Sequence, residues 1–226
     1  MPYKVLFFVL ALLFFPLSAG AEENLDERTD EYVREVPVRV QTNIFSLTRY
    51  LTAPFDNDYD KVRAIAYYIA SHMVYDNYLY NENGRTRLKY RRQTPEEFLK
   101  SKVGICADFA DLFQAMCKQA GITVDTVKGY VVDKSLRMRE AEKNKILHAW
   151  SVFKYHNKKV YVDTTFMASA ETGHERRVSE FRRRKAVNKI KKESRRHNTT
   201  YDIEPFYFDF TYEQEKKLGI SQHVER

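Results

Sequence analysis

Three residues of this 226-residue chain have types and spacing that could do chemistry together. Cys106 lies in Val103-Gly104-Ile105-Cys106-Ala107-Asp108, His148 opens His148-Ala149-Trp150 forty-two residues later, and Asp163 follows fifteen beyond in Val162-Asp163-Thr164-Thr165. A thiol, an imidazole and a carboxylate can divide nucleophilic catalysis among them. The thiolate attacks a carbonyl, the imidazole takes and returns the proton, and the carboxylate fixes the imidazole tautomer and stabilises its charged form. The chemistry expected of such a trio is acyl transfer through a thioester.

These side chains need elements to hold them. Phe109, Leu112, Phe113, Met116, Cys117 and Ala120 recur at helical spacing, and Gly121 supplies a left-handed stop. Extended back by three, the stripe puts Cys106 on the inward side of the helix N-terminus. Unpaired N–H groups there favour a thiolate, and the Cys106 N–H can help hold an oxyanion. Gln93 and Tyr75 are candidates for a second oxyanion donor. Gly104 allows a close approach to the site. Cys106 and Cys117, eleven residues apart on one helix, would be separated by about 16 Å along its axis, whereas a disulfide needs Cα atoms within about 7 Å. Cys106 is therefore expected as a free thiol, and Cys117 as core. Asp108 and Asp111 suit the helix dipole.

Upstream, a helical stretch opens at Pro37, carries Val40, Ile44, Leu47 and Leu51, and stops at Ala53-Pro54. Asn57 or Asp58 caps a second helix with an apolar stripe of Val62, Ile65, Ala66, Ile69 and Met73. Residues 80–93 read as a polar loop. Thr94-Pro95-Glu96-Glu97 is a helix start with a Thr cap, a Pro at the first position and a Glu at the third. After Gly121 the period changes to two, predicting strands over 123–133, 146–155 and 159–166 with a polar loop at 134–145. A two-residue turn at His156-Asn157 sets Asp163 opposite Trp150 and His148 opposite Thr165. His148 and Asp163 then become diagonal neighbours on one sheet face, about 7–8 Å apart at the backbone and within side-chain reach. The aromatic run 205–212 is expected to pack back as a strand.

The segments VGICADFADLFQAMCKQAGI, HAWSVF and KVYVDTTF resemble the core of the transglutaminase-like superfamily, with its Gly-x-Cys, His-Ala-Trp and Asp-x-Thr pattern. RAIAYYIASHMVYDN resembles the helix ending in Ile-x-Tyr-Asp of that superfamily's peptidase-like branch. The likeness runs from Asp58 to Phe166. It implies a papain-like α+β fold, a nucleophile helix packed on an antiparallel sheet, with Cys106 as nucleophile, His148 as base and Asp163 as orienting acid. Tyr161 stands where a Trp is common.

The chain begins as an export signal would. Lys4 precedes an apolar run from Val5 to Leu17, and Ala19-x-Ala21 offers cleavage after Ala21. Thirteen apolar residues fall short of the roughly 20 that span a bilayer, so residues 1–21 are expected to be removed and the protein to be periplasmic or secreted. Residues 22–36 read as a loose polar leader, and 37–226 as one domain with core 58–166. The formal charge of +7 is uneven: 174–197 carries eleven Lys or Arg against three Glu, leaving 27 basic and 28 acidic residues elsewhere. This basic insert suits an anionic envelope polymer or membrane surface, with nucleic acid ranked last for an exported chain. His72, His156, His174, His197 and His223 show no ligand spacing, so no metal or cofactor is expected. The substrate expected of the trio is a protein or peptide. The other reading is a non-catalytic module of the same fold that holds an anionic partner through 174–197.

Overall fold

The computed structural model describes residues 25–76, 91–132, 146–168, 203–218 and 222–225. The expected export segment 1–21, the greater part of the loop 80–93, the loop 134–145 and the basic insert 174–197 lie outside the described residues.

The expected loose leader is instead a helix, α1 (Leu25–Arg34), packed on α3. Its sequence is strongly polar, but Val33 and then Val36 reach the core, and the Tyr32 ring stacks 5.3 Å from Tyr50. The helix expected to open at Pro37 is broken. A 3-10 turn (Val38–Val40) precedes α2 (Ile44–Thr52), because the Asn43 side chain caps α2 by accepting from the Ser46 N–H. Asn57 caps α3 (Asp58–His72), and the expected stripe Val62, Ile65, Ala66, Ile69 and Met73 is buried.

The chain then makes β1 (Val74–Tyr75), α4 (Pro95–Ser101) and β2 (Val103–Gly104), with β1 and β2 paired in parallel. Thr94 and Glu97 form the anticipated reciprocal cap of α4. Lys102 ends that helix in the left-handed region at φ 61° and buries its amine, which donates to Tyr68 Oη and Gln41 Oε1. Burial pulls this amine down to about 7. The helix that carries both cysteines, α5 (Cys106–Gln119), follows at once and ends at Gly121, φ 80°.

Five antiparallel strands form the sheet: β3 (Val124–Val132), β4 (Ile146–Tyr155), β5 (Lys158–Val162), β6 (Phe208–Phe210) and β7 (Gln222–Glu225), in the order β6-β5-β4-β3-β7. The β4–β5 register runs from Tyr155 opposite Lys158 to Ser151 opposite Val162, as a two-residue turn at His156-Asn157 requires. β5 stops earlier than the expected strand 159–166. Asp163 caps a short helix, α6 (Thr164–Met167), by accepting from the Thr165 and Phe166 N–H groups. The aromatic run is a 3-10 turn (Pro205–Tyr207), then β6, then the start of α7 (Tyr212–Leu218). The Glu204 N–H donates to Met167 O at 2.8 Å, so the chain re-enters the domain where it left.

Phe153, Val124, Val160 and Val162 pack with Leu112, Phe113 and Met116 of α5 and with Ile65 and Ile69 of α3, forming the core between helices and sheet. Fully burying each such side chain contributes about 1.5–3 kcal/mol. The resulting α+β arrangement is the one expected, with the cysteine-bearing helix against an antiparallel sheet. Directly opposed residues share a face, so the register puts His148, Gly129 and Glu225 on one side, together with Val131 and His223.

Candidate active site

Local structure dictates where the thiol sits. Ile105 is extended, at φ −113° and ψ 173°, and Cys106 is the first residue of α5. Asp108, buried within the first turn, accepts the Ile105 N–H at 2.8 Å and the Gln93 N–H at 3.2 Å. The dipole role expected for Asp108 is thus realised as a cap, while Asp111 forms a bidentate pair with Arg92. A Cβ at Gly104 would lie 2.6 Å from Asp108 Oδ2 and 2.7 Å from the Phe98 ring. Glycine is therefore required by the cap that fixes the first turn of α5.

Cys106 is 5% exposed and packs with Ala110 and Ala149, with Tyr75 alongside. Neither cysteine forms a disulfide, and Cys117 is core as expected. The Gln93 amide nitrogen donates to Val103 O at 2.9 Å and its oxygen accepts from Ser101 Oγ. Its visible role is to tie the approach loop to β2.

His148 Nε2 lies 2.6 Å from Asp163 Oδ2, so the diagonal relation anticipated for the hairpin becomes a hydrogen bond. Phe166 stacks on the imidazole at 4.9 Å and Trp150 at 6.0 Å, with both ring planes within 20° of it. Cys106 packs against Ala149, the neighbour of His148 on β4, and adds to the rise in the imidazole pKa. All three residues singled out in the sequence thus meet.

Two more side chains join them, and no spacing or motif in the chain singles them out. His223 Nε2 lies 2.7 Å from the same Asp163 Oδ2, and His223 Nδ1 lies 2.5 Å from Glu215 Oε1. Glu215 Oε2 also accepts the His223 backbone N–H at 3.0 Å. Both residues are buried, with Glu215 at 0% exposure. The available hint was Gly129, since a glycine inside a strand marks close approach of another backbone. A Cβ there would run into Val224 O of β7 and the Trp150 ring.

Electrostatics follow from this geometry. Burial disfavours the His148 imidazolium, but the Asp163 carboxylate outweighs that, with Cys106 adding to it, and the imidazole pKa is raised. Burial pushes Asp163 up, yet His148 and His223 beside it hold the carboxyl well below the usual range. His223 is raised as well: its burial cost is exceeded by hydrogen bonds to Asp163 and Glu215. The ligand atoms of His148, Asp163 and His223 lie within 4.8 Å of one another, a convergence that a cation could exploit. Both Nε2–Oδ2 separations are nonetheless hydrogen-bond lengths, and Oδ1 is engaged by two backbone N–H groups. The set is assembled as a proton network.

The sequence model described as the transglutaminase-like superfamily matches residues 46–165. Kyphoscoliosis peptidase from Mus musculus is 27% identical over 156 residues, covering 69% of this chain and 22% of that protein. Its Homo sapiens counterpart is 27% identical over 140 residues, covering 62% of this chain and 20% of that protein. The chain therefore spans about a fifth of the length of these curated relatives. The crystal structure of the periplasmic domain of TgpA from Pseudomonas aeruginosa aligns with a TM-score of 0.40 at 18% identity, over 72% of this chain and 52% of that one.

Proposed function

The chain belongs to the transglutaminase-like superfamily, and we propose that it is a cysteine enzyme acting on amide bonds of protein or peptide substrates. The observation carrying this reading is the His148 imidazole, held by Asp163 at 2.6 Å and close enough to the Cys106 thiol for that thiol to raise its pKa. The Cys106 sulfur, deprotonated by His148, attacks the carbonyl carbon. The oxyanion forms beside the Cys106 N–H, which at the first position of α5 has no intrahelical acceptor. His148 gives its proton to the departing amine nitrogen as the C–N bond breaks, leaving a thioester on Cys106. In the second half, water attacks the thioester, His148 takes its proton, and carboxylic acid and thiol are released.

An amine in place of the water would give transamidation. The peptidase name carried by the mouse relative supports water as the acceptor. The apolar run Val5–Leu17 followed by Ala19-x-Ala21 supports an exported site of action, and the excess of Lys and Arg in 174–197 supports docking on an anionic surface. Cys106→Ala is expected to abolish both casein hydrolysis and dansylcadaverine incorporation while leaving the circular dichroism spectrum intact. Parental turnover in that variant would sink the reading.

A further inference from the structure

Asp163 cannot rotate, and the reason lies at the far end of the chain. Its Oδ1 accepts from the Thr165 and Phe166 N–H groups, at 2.9 and 3.0 Å, and its Oδ2 from His148 and His223. Three of these donors come from residues within or next to the matched core, 46–165. The fourth does not. His223 arrives on β7, the edge strand beside β3, and Glu215 arrives on α7.

The arrangement around His223 is specific. Glu215 takes both its backbone N–H and its Nδ1, which leaves Nε2 aimed at Asp163. The Trp150, Phe210 and Phe166 rings enclose the imidazole at 4.8, 4.8 and 5.1 Å. Water is thereby kept from competing for these bonds, and hydrogen bonds in such surroundings are stronger than in solvent. The titratable groups facing this network are His148 on β4, Cys106 on α5, Glu215 on α7 and Tyr207 before β6.

We infer that His223 and Glu215 are positioning residues of the active site: Glu215 orients His223, and His223 locks Asp163 in the rotamer that serves His148. This inference rests on the cysteine-enzyme reading, since it assigns the pair a task in holding the imidazolium beside the Cys106 thiolate. The working unit becomes a five-residue line, Cys106–His148–Asp163–His223–Glu215, with its last two members supplied by α7 and β7.

The test uses iodoacetamide as the probe and follows modification of the Cys106 peptide by mass spectrometry at pH 6.5 and pH 10. The pH 10 rate is the control for access to the sulfur, and the pH 6.5 rate reads the help given by the imidazolium. His223→Leu is expected to lower the pH 6.5 rate roughly tenfold and to leave the pH 10 rate within about twofold. His223→Gln, which can present an N–H to Asp163, is expected to recover most of the loss. Glu215→Gln keeps the side-chain shape and should fall between. A purely structural role would change both rates together or neither.

Parent-like ratios of the two rates in His223→Leu and Glu215→Gln would overturn the inference. If His223→Leu does not fold, the ratios of His223→Gln and Glu215→Gln decide. Failure of the underlying reading looks different. The parent itself would then alkylate at pH 6.5 no faster than an unfolded-chain control, or Cys106→Ala would retain turnover.

Discussion

Asp163 is asked to do three things with two oxygens. It caps α6 through Oδ1, and through Oδ2 it receives the protons of two imidazoles. Replacement by Asn keeps the capping oxygen but points an N–H₂ at two N–H donors, and it removes the charge that holds His148 protonated. Breaking a buried pair in this way costs about 3–5 kcal/mol. The pH dependence follows from the directions of the shifts. The depressed carboxyl of Asp163 contributes stability above its unfolded pKa of about 4 and loses it as pH falls through the folded value. The raised imidazole of His148 contributes fully below its unfolded pKa of about 6.5 and loses that contribution as pH rises through the folded value. The pair thus supports the fold most between about pH 4 and 6.5. Urea midpoints measured from pH 3 to 10 should fall on both sides of that window in the parent, and both limbs should flatten in Asp163→Asn. A parent curve flat across the window edges would contradict the assignment.

Elements carry these side chains only as well as their backbones pair. Gly129 sits in the middle of β3 because β7 and Trp150 crowd the space a Cβ would take. Gly129→Ala is therefore expected to push β7 off and reproduce the His223→Leu behaviour: slow alkylation of Cys106 at pH 6.5 and a near-normal rate at pH 10. Amide exchange of Val224 and Glu225 should quicken in the same variant. The parts legible in the sequence were those set by near neighbours. The α4 cap reads from Thr94 and Glu97, the α5 face from its apolar spacing, and the His148–Asp163 relation from the parity of a two-residue turn. Where the sequence misled, a side chain served a purpose beyond its local pattern. Asn43 starts α2 afresh, Asp163 ends β5 by capping α6, and α1 docks through Val33 although the helix is otherwise polar. The Glu215–His223 arm was hidden because β7 has four residues and its pairing is with a strand some ninety positions earlier. No periodicity signals a contact at that range.

At the scale of the molecule, the proposed chemistry is confined to a nucleophile helix, one hairpin and a returning tail. The partners named for Cys106, His148, Asp163, His223 and Glu215 come from β1, α5, β4, α6, α7 and β7. Replacing 169–202 with a short Gly-Ser linker is expected to leave the Cys106 alkylation rate within about twofold at both pH values, because the ends to be joined are already in contact. A large fall in both rates would show that the stretch is needed to build the site. The hydrogen bond from Glu204 to Met167 O has a wider meaning. It makes the exit and return of that stretch a single clasp, four residues beyond Asp163. Whatever hangs from such a clasp can be lengthened, trimmed or exchanged between lineages while the chassis beneath it stays the same. A chain joined this way can carry a longer or shorter excursion at that point without moving the residues beneath it.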